Sequence, residues 1–172
     1  MNSFADGFAG LFLFLANWLS PMEGDGELLL SSMMLTDSVL VVQCQQKFRW
    51  NDDATSIIDA GIPLMITFYT SVNGNSSEQY TRILRSSIDE EFYTVQDSLE
   101  RELYDVKRYS NIYLAIKSFQ EVEFTFDDEV KEVEILGVLL PSPVSSMNKT
   151  VSLAPICGGD RFYRKIIVTR SE

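Results

Sequence analysis

Residues 51–70 read NDDATSIIDAGIPLMITFYT, and the organisation of the chain is clearest from there outward. Asn51 has the side chain to cap a helix N-terminus, and Asp52 and Asp53 suit the positive end of its dipole. Gly61 stands where a left-handed C′ residue ends a helix, and Pro63 follows at a strand start, where its missing N–H costs least. Ile62, Leu64, Ile66 and Phe68 then fall on one face, with Met65, Thr67 and Tyr69 on the other. A short helix, a glycine stop and a core strand are expected.

The flanking sequence continues in strands. Leu28–Leu35 is an apolar run ending in the turn-like Thr36-Asp37-Ser38. In Val39–Trp50, Leu40, Val42, Cys44, Gln46, Phe48 and Trp50 alternate with Gln43, Gln45 and Lys47, so the two runs read as a hairpin. Asn73-Gly74, with Ser76 and Ser77 behind it, predicts a turn folding Ile62–Val72 back on Gln79–Ile88. In that second strand Tyr80, Arg82, Leu84, Ser86 and Ile88 share a face. Asp89-Glu90 is a further turn, after which Phe92, Thr94 and Gln96 alternate with Tyr93 and Val95. Ser98–Lys107 reads two ways. Asp97 with Glu100 can form a capping box ahead of a Leu99, Leu103, Val106 helical stripe, or the segment can return as a strand.

Ser110–Gln120 reads as a helix capped by Ser110, with Ile112, Ile116 and Phe119 buried and Tyr113 widening the stripe. Val122, Phe124 and Phe126 alternate with Glu121, Glu123 and Thr125 in a one-sided strand. Asp127-Asp128-Glu129 turns into a strand at Val130–Leu140, ended by Pro141-Ser142-Pro143 and a polar loop at Ser145–Lys149. Val151–Ile156 and Arg161–Thr169, separated by Cys157-Gly158-Gly159-Asp160, read as a closing pair. Phe162, Ile166, Val168 and Arg164 face inward. The fold class is α+β and β-dominated: an antiparallel sheet or sandwich of seven to nine strands with two short helices. An apolar N-terminal segment occupies 1–26 and a single domain 27–172.

Composition excludes several functions. The 172 residues carry 25 acidic and 14 basic side chains, a formal charge of −11, with no Lys or Arg cluster to bind a phosphate backbone. Nucleic acid is therefore not an expected partner. There is no histidine, which removes the commonest general base and metal ligand. Cys44 and Cys157 form no C-x-x-C motif. In an oxidising compartment they can form a disulfide, and in a reducing one Cys44 is a small buried hydrophobe.

Phe4–Leu19 (FADGFAGLFLFLANWL) is strongly apolar, but its uninterrupted core, Phe8–Ala16, falls short of the roughly 20 residues of a spanning helix. It suits the apolar region of a secretory signal, which typically runs about 7–15 residues, although no Lys or Arg precedes it and no A-x-A site precedes Met22. The alternative is a helix docked on the domain. Export is the expectation, with Gly24-Asp25-Gly26 as linker and with membrane contact only through residues 4–19 if they are retained.

Two pieces together resemble a known family: DDATSIIDAGIPLMITF, and QYTRILRSSIDEEFYTV with its R-x-x-x-x-S-hydrophobic-D/N pattern ahead of an aromatic strand. The order is similar to that of the exported bacterial domain-of-unknown-function family numbered 4390, with Tyr109-Ser110 where its helix begins and Leu140-Pro141 at its Leu-Pro. The likeness spans roughly Ser38–Thr169. Ser87-Ile88-Asp89 replaces the usual Ser-Tyr-Asp, and the family's late tryptophans are absent. The resemblance implies an envelope location and strands at 98–107, and it brings no catalytic residues.

The acidic clusters Asp52-Asp53, Asp89-Glu90-Glu91 and Asp127-Asp128-Glu129 read as a helix start and two turns. No D-x-D-x-D-G calcium loop, G-x-S-x-G elbow or phosphate loop occurs, and Lys117-Ser118 is not an S-x-x-K pair. No catalytic, cofactor-binding or metal-binding residue is assigned, no cofactor is expected, and a non-enzymatic role follows. One expectation is an envelope domain that binds a protein partner through a sheet face or an open edge strand, with Glu121–Asp127 the candidate edge. The alternative is a small apolar or lipid-like ligand between sheet and helix, which needs a cavity lined by residues such as Phe68, Phe92 and Phe119.

Overall fold

The computed structural model describes residues 26–168 except 37, 49, 88–90, 100–101, 128, 145–148 and 158. The apolar segment at 4–19, the Asp89-Glu90 turn and most of the polar loop after Pro143 lie outside the described residues.

The helix–glycine–strand unit forms as its sequence dictates. Helix α1 (Asp52–Asp59) is capped by the Asn51 side chain, which accepts from the Ala54 amide at 2.9 Å. At its other end Gly61 takes φ 83°, with its amide on Ile58 O at 2.9 Å and the Ile62 amide on Ile57 O at 3.2 Å. This pair of bonds is the Schellman closure that a left-handed C′ glycine permits. The chain then enters strand β3 (Leu64–Val72), where Leu64, Ile66 and Phe68 are buried. Thr67 on the opposite face is buried as well, because β3 lies inside the sheet.

The preceding hairpin pairs β1 (Gly26–Leu35) with β2 (Val39–Lys47). After β3, Asn73 and Gly74 take φ 48° and 86° and make a two-residue turn of the primed type, whose twist matches the strands. Such a turn uses only those two residues. Strand β4 therefore begins at Asn75 and runs to Ser87, and Ser76 and Ser77 pair with Ser71 and Thr70 instead of lengthening the turn. The 98–107 segment is a strand hairpin, β5 (Phe92–Leu99) with β6 (Glu102–Tyr109), and Asp97 lies within β5.

Helix α2 (Ile112–Gln120) is capped by Asn111, not Ser110: its side chain accepts from the Tyr113 amide at 2.7 Å. Its buried side carries Ile112, Ala115, Ile116 and Phe119, while Tyr113 points to solvent at 71% exposure. Strand β7 (Glu121–Asp127) follows, then β8 (Glu132–Leu140).

The expected closing pair does not form. β10 (Lys149–Val151) pairs with β9 (Ser142–Val144), a strand made by residues expected only to end β8. A four-residue helix, α3 (Ala154–Cys157), takes up most of the remaining apolar run and places Leu153 and Cys157 in the core. The last strand, β11 (Arg161–Ile167), finds β8 instead over seven register pairs, Arg161↔Val138 to Ile167↔Glu132.

Among the described residues nine strands form one sheet in the order β6-β5-β4-β3-β8-β11-β1-β2-β7. All neighbours are antiparallel except β1 and β11, joined in parallel at Gly26↔Phe162 and Glu27↔Tyr163. Laid flat, eight gaps of about 4.8 Å would span about 38 Å. Yet the two marginal strands, β6 and β7, are consecutive in sequence and joined by α2, whose nine residues reach about 14 Å. The sheet must therefore curl into a half-barrel. The rings fix that curl: Phe124 of β7 lies 5.5 Å from Phe68 of β3 and 5.8 Å from Tyr80 of β4, centroid to centroid. Phe48 reaches Phe162 at 4.6 Å and Phe119 at 5.8 Å, sealing the end where α2 packs.

Candidate interaction groove at the sheet margin

Curling brings β7 towards the β4–β5–β6 margin without pairing it there, and a groove of about 650 Å³ remains. Its floor starts with Arg82. Tyr80, Arg82 and Leu84 occupy alternate inward positions on β4, and Arg82 pairs in register with Asp97 of β5. Arg82 Nε donates to Asp97 Oδ1 at 2.7 Å and Nη2 to Oδ2 at 2.6 Å, with both residues buried. Its remaining nitrogen, Nη1, donates to the carbonyls of Ser118, at 3.3 Å, and Glu121. One guanidinium thus ties β4 and β5 to the end of α2 and the start of β7. Burial, the largest single influence, opposes its charge, but the Asp97 hydrogen bonds together with the charge interactions of Tyr80, Asp97 and Tyr104 hold its pKa above the usual arginine value. A buried arginine with both carboxylate oxygens engaged is an internal clamp and offers little to a substrate.

Two tyrosines stand beside the clamp. The Arg82 guanidinium carbon lies 5.4 Å from the Tyr80 ring centre, and Tyr104 meets that ring edge-on at 6.4 Å. Burial, then the Asp97 charge, pushes the Tyr104 hydroxyl up to about 12. The Tyr80 hydroxyl is buried and has no hydrogen-bond partner among the described residues. Asp105 and Lys107 pair at 3.2 Å on the β6 side, and Glu121, Val122 and Glu123 form the opposite wall.

Backbone direction completes the geometry. In a strand, the N–H and C=O of one residue point to the same side and alternate along the chain. Because the Glu121 carbonyl meets Arg82, alternation turns the amides and carbonyls of Glu123 and Thr125 to the same side, with Glu123 lining this groove and Thr125 a cleft farther along β7. Their side chains, with those of Glu121 and Asp127, project from the exposed convex face, while Val122, Phe124 and Phe126 fill the core. The edge expected at Glu121–Asp127 is the outermost strand of the sheet on that side.

The other singled-out residues are scattered. Asp52 and Asp53 are solvated at the start of α1, Glu91 is exposed in a turn, and Asp127 and Glu129 border a second cleft with Ser38 and Asn73 at the far end of the barrel. Among the described residues no three metal-ligating side chains converge. Cys44 and Cys157 are both free and buried, and burial pushes each thiol up to about 11. Phe68 and Phe119 are fully buried among other rings, whereas Phe92 lies on the convex face under Arg108, 4.9 Å from its ring centre. These three rings do not line one cavity. The void under α1, among Trp50, Ile57, Leu64 and Leu153, holds about 10 Å³, room for no more than one water.

Sequence reasoning missed the Arg82–Asp97 clamp. Its signal was present as a charged residue in the inward row Tyr80–Leu84, but its partner lies on another strand and, in one of the two readings of the 98–107 segment, belongs to a capping box. Comparison with protein-family models, with curated proteins and with solved structures found no match to this chain.

Proposed function

We propose that this chain is a non-enzymatic, exported bacterial envelope domain that binds a protein partner by adding a strand to the β7 edge. The observation that carries the reading is the marginal position of β7, with the Glu121 carbonyl on Arg82 and Glu123 lining the groove beside it. An exposed edge of this kind templates strand pairing unless something covers it. The close packing of Phe68 and Phe119 supports this reading over an enclosed apolar ligand. The motif resemblance to family 4390 supports the envelope assignment, and Arg82 is the arginine of that motif.

Glu123→Pro gives the test. Its lost N–H points into the groove, so the β2–β7 ladder survives while an added strand is blocked. Peptides selected from a random seven-residue library on the wild-type domain are expected to protect the Glu123 and Thr125 amides from hydrogen exchange. They are expected to lose binding to Glu123→Pro at little change in Tm. Selected peptides that bind Glu123→Pro equally well overturn the edge reading. For the envelope assignment, N-terminal sequencing of protein from its own host is expected to start near Met22 or Gly26. An intact Met1 counts against cleavage and export by a signal.

A further inference from the structure

The β7 edge carries a chemical pattern as well as an open backbone. Glu121, Glu123 and Asp127 project from its exposed face at every second or fourth position, and among the described residues none of them is in an ion pair. Glu123 accepts one hydrogen bond, from Gln43 Nε2 at 2.8 Å, which fixes its direction without neutralising it. A strand laid along β7 would set its own convex-side residues directly opposite these carboxylates, about 5 Å away, where opposite charges stabilise and like charges repel. Its alternate residues would turn inward over Tyr104 and the Tyr80 hydroxyl. That hydroxyl is an independent sign of a missing occupant: a buried phenol at 7% exposure, lining the groove, has no acceptor among the described residues.

Resting on the strand-addition reading, we propose that the partner is an extended segment alternating basic and apolar residues. Its lysines or arginines face Glu121, Glu123 and Asp127, its apolar side chains turn inward, and one of its backbone carbonyls accepts from the Tyr80 hydroxyl. The charge row also selects among occupants. A second copy pairing β7 against β7 would set two acidic rows face to face, so a like edge is excluded by repulsion, and the net charge of −11 works in the same direction at longer range.

Calorimetry with two blocked seven-residue peptides tests this, one alternating lysine with valine and the other glutamate with valine. The lysine peptide is expected to bind at least about tenfold tighter, to weaken as salt rises, and to lose binding to Glu123→Pro. The double charge reversal Glu121→Lys/Asp127→Lys is expected to invert the preference. Tyr80→Phe is expected to weaken the lysine peptide about fivefold, the factor of one lost hydrogen bond. If both peptides bind within twofold of each other and both fail on Glu123→Pro, the edge reading survives and the basic-partner proposal falls. If neither peptide binds and library peptides ignore Glu123→Pro, both fall. Sedimentation that shows the domain self-associating through the same edge assigns it to a second copy and overturns the proposal.

Discussion

Gly137 sits on β8 between Phe68 of β3 and Phe162 of β11, on the inward face of the sheet. A Cβ built there would lie 3.0 Å from both Ile66 Cδ1 and Phe68 Cε1, closer than packed carbon atoms approach. The Phe68 ring has little room to withdraw, because Tyr80 and Phe124 hold it at 5.2 and 5.5 Å. Gly137→Ala is therefore expected to cost about 1–3 kcal/mol by overpacking, despite removing a flexible residue from a strand. For a domain of this size that lowers Tm by roughly 2–10 °C, measurable by calorimetry. A Tm equal to or above wild type would show that the core yields there. Sequence made the large partners of this contact legible, since Leu64, Ile66, Phe68 and Phe162 fall in inward rows of period two. The glycine was not legible: without a side chain it contributes nothing to an alternation, and its role is set by rings on two other strands.

Whole elements were legible where a local signal fixes them, and less so where the deciding contact is distant. The Asn51 cap, the Gly61 stop and the Asn73-Gly74 turn are short-range devices, and each took the conformation its residues favour. Val151–Ile156 has the composition of a strand, yet its expected partner, now β11, paired with β8, and Ala154–Cys157 closed as a helix turn over α1. At the start of α2 two adjacent residues, Ser110 and Asn111, are both good caps, and sequence alone took the first. The Asn111 side chain holds the Tyr113 amide, while Ser110 stands one position outside. Asn111→Ala is expected to destabilise the domain by about 1 kcal/mol, and Ser110→Ala by a few tenths at most. Urea midpoints of the two variants check this, and a larger loss at Ser110 would return the cap to it. The same helix positions the groove, because its C-terminal turn presents the Ser118 and Glu121 carbonyls to Arg82.

Across the whole molecule, the two sheet margins are closed on one another by side chains where a full barrel would use a backbone ladder. Asp97 stands 15 residues from Arg82 and Glu121 stands 39 from it, so no pattern within one element announces the clamp. The β-dominated class was readable because every neighbouring pair in the sheet except β1 with β11 is antiparallel. The closure was not readable, because it depends on α2 returning the chain from one end of the sheet order to the other. Removing one partner of the clamp leaves the other charged in a buried site, which costs about 3–5 kcal/mol, a large share of the 5–15 kcal/mol of a typical domain. Replacing both with apolar residues of similar size removes that penalty together with the ion pair. Arg82→Met and Asp97→Leu are each expected to destabilise by about 3–5 kcal/mol, and the double variant to recover at least about 2 kcal/mol of their sum, read from urea unfolding. Hydrogen exchange separates the clamp from ordinary core packing. In the double variant the amides of β3 and β8 should stay protected, while those of β7 and the last turn of α2 exchange faster, because only they lose the Arg82 tie to the far margin. Additive single losses with β7 protection unchanged would show that the ring stack of Phe68, Tyr80 and Phe124 closes the half-barrel without the ion pair.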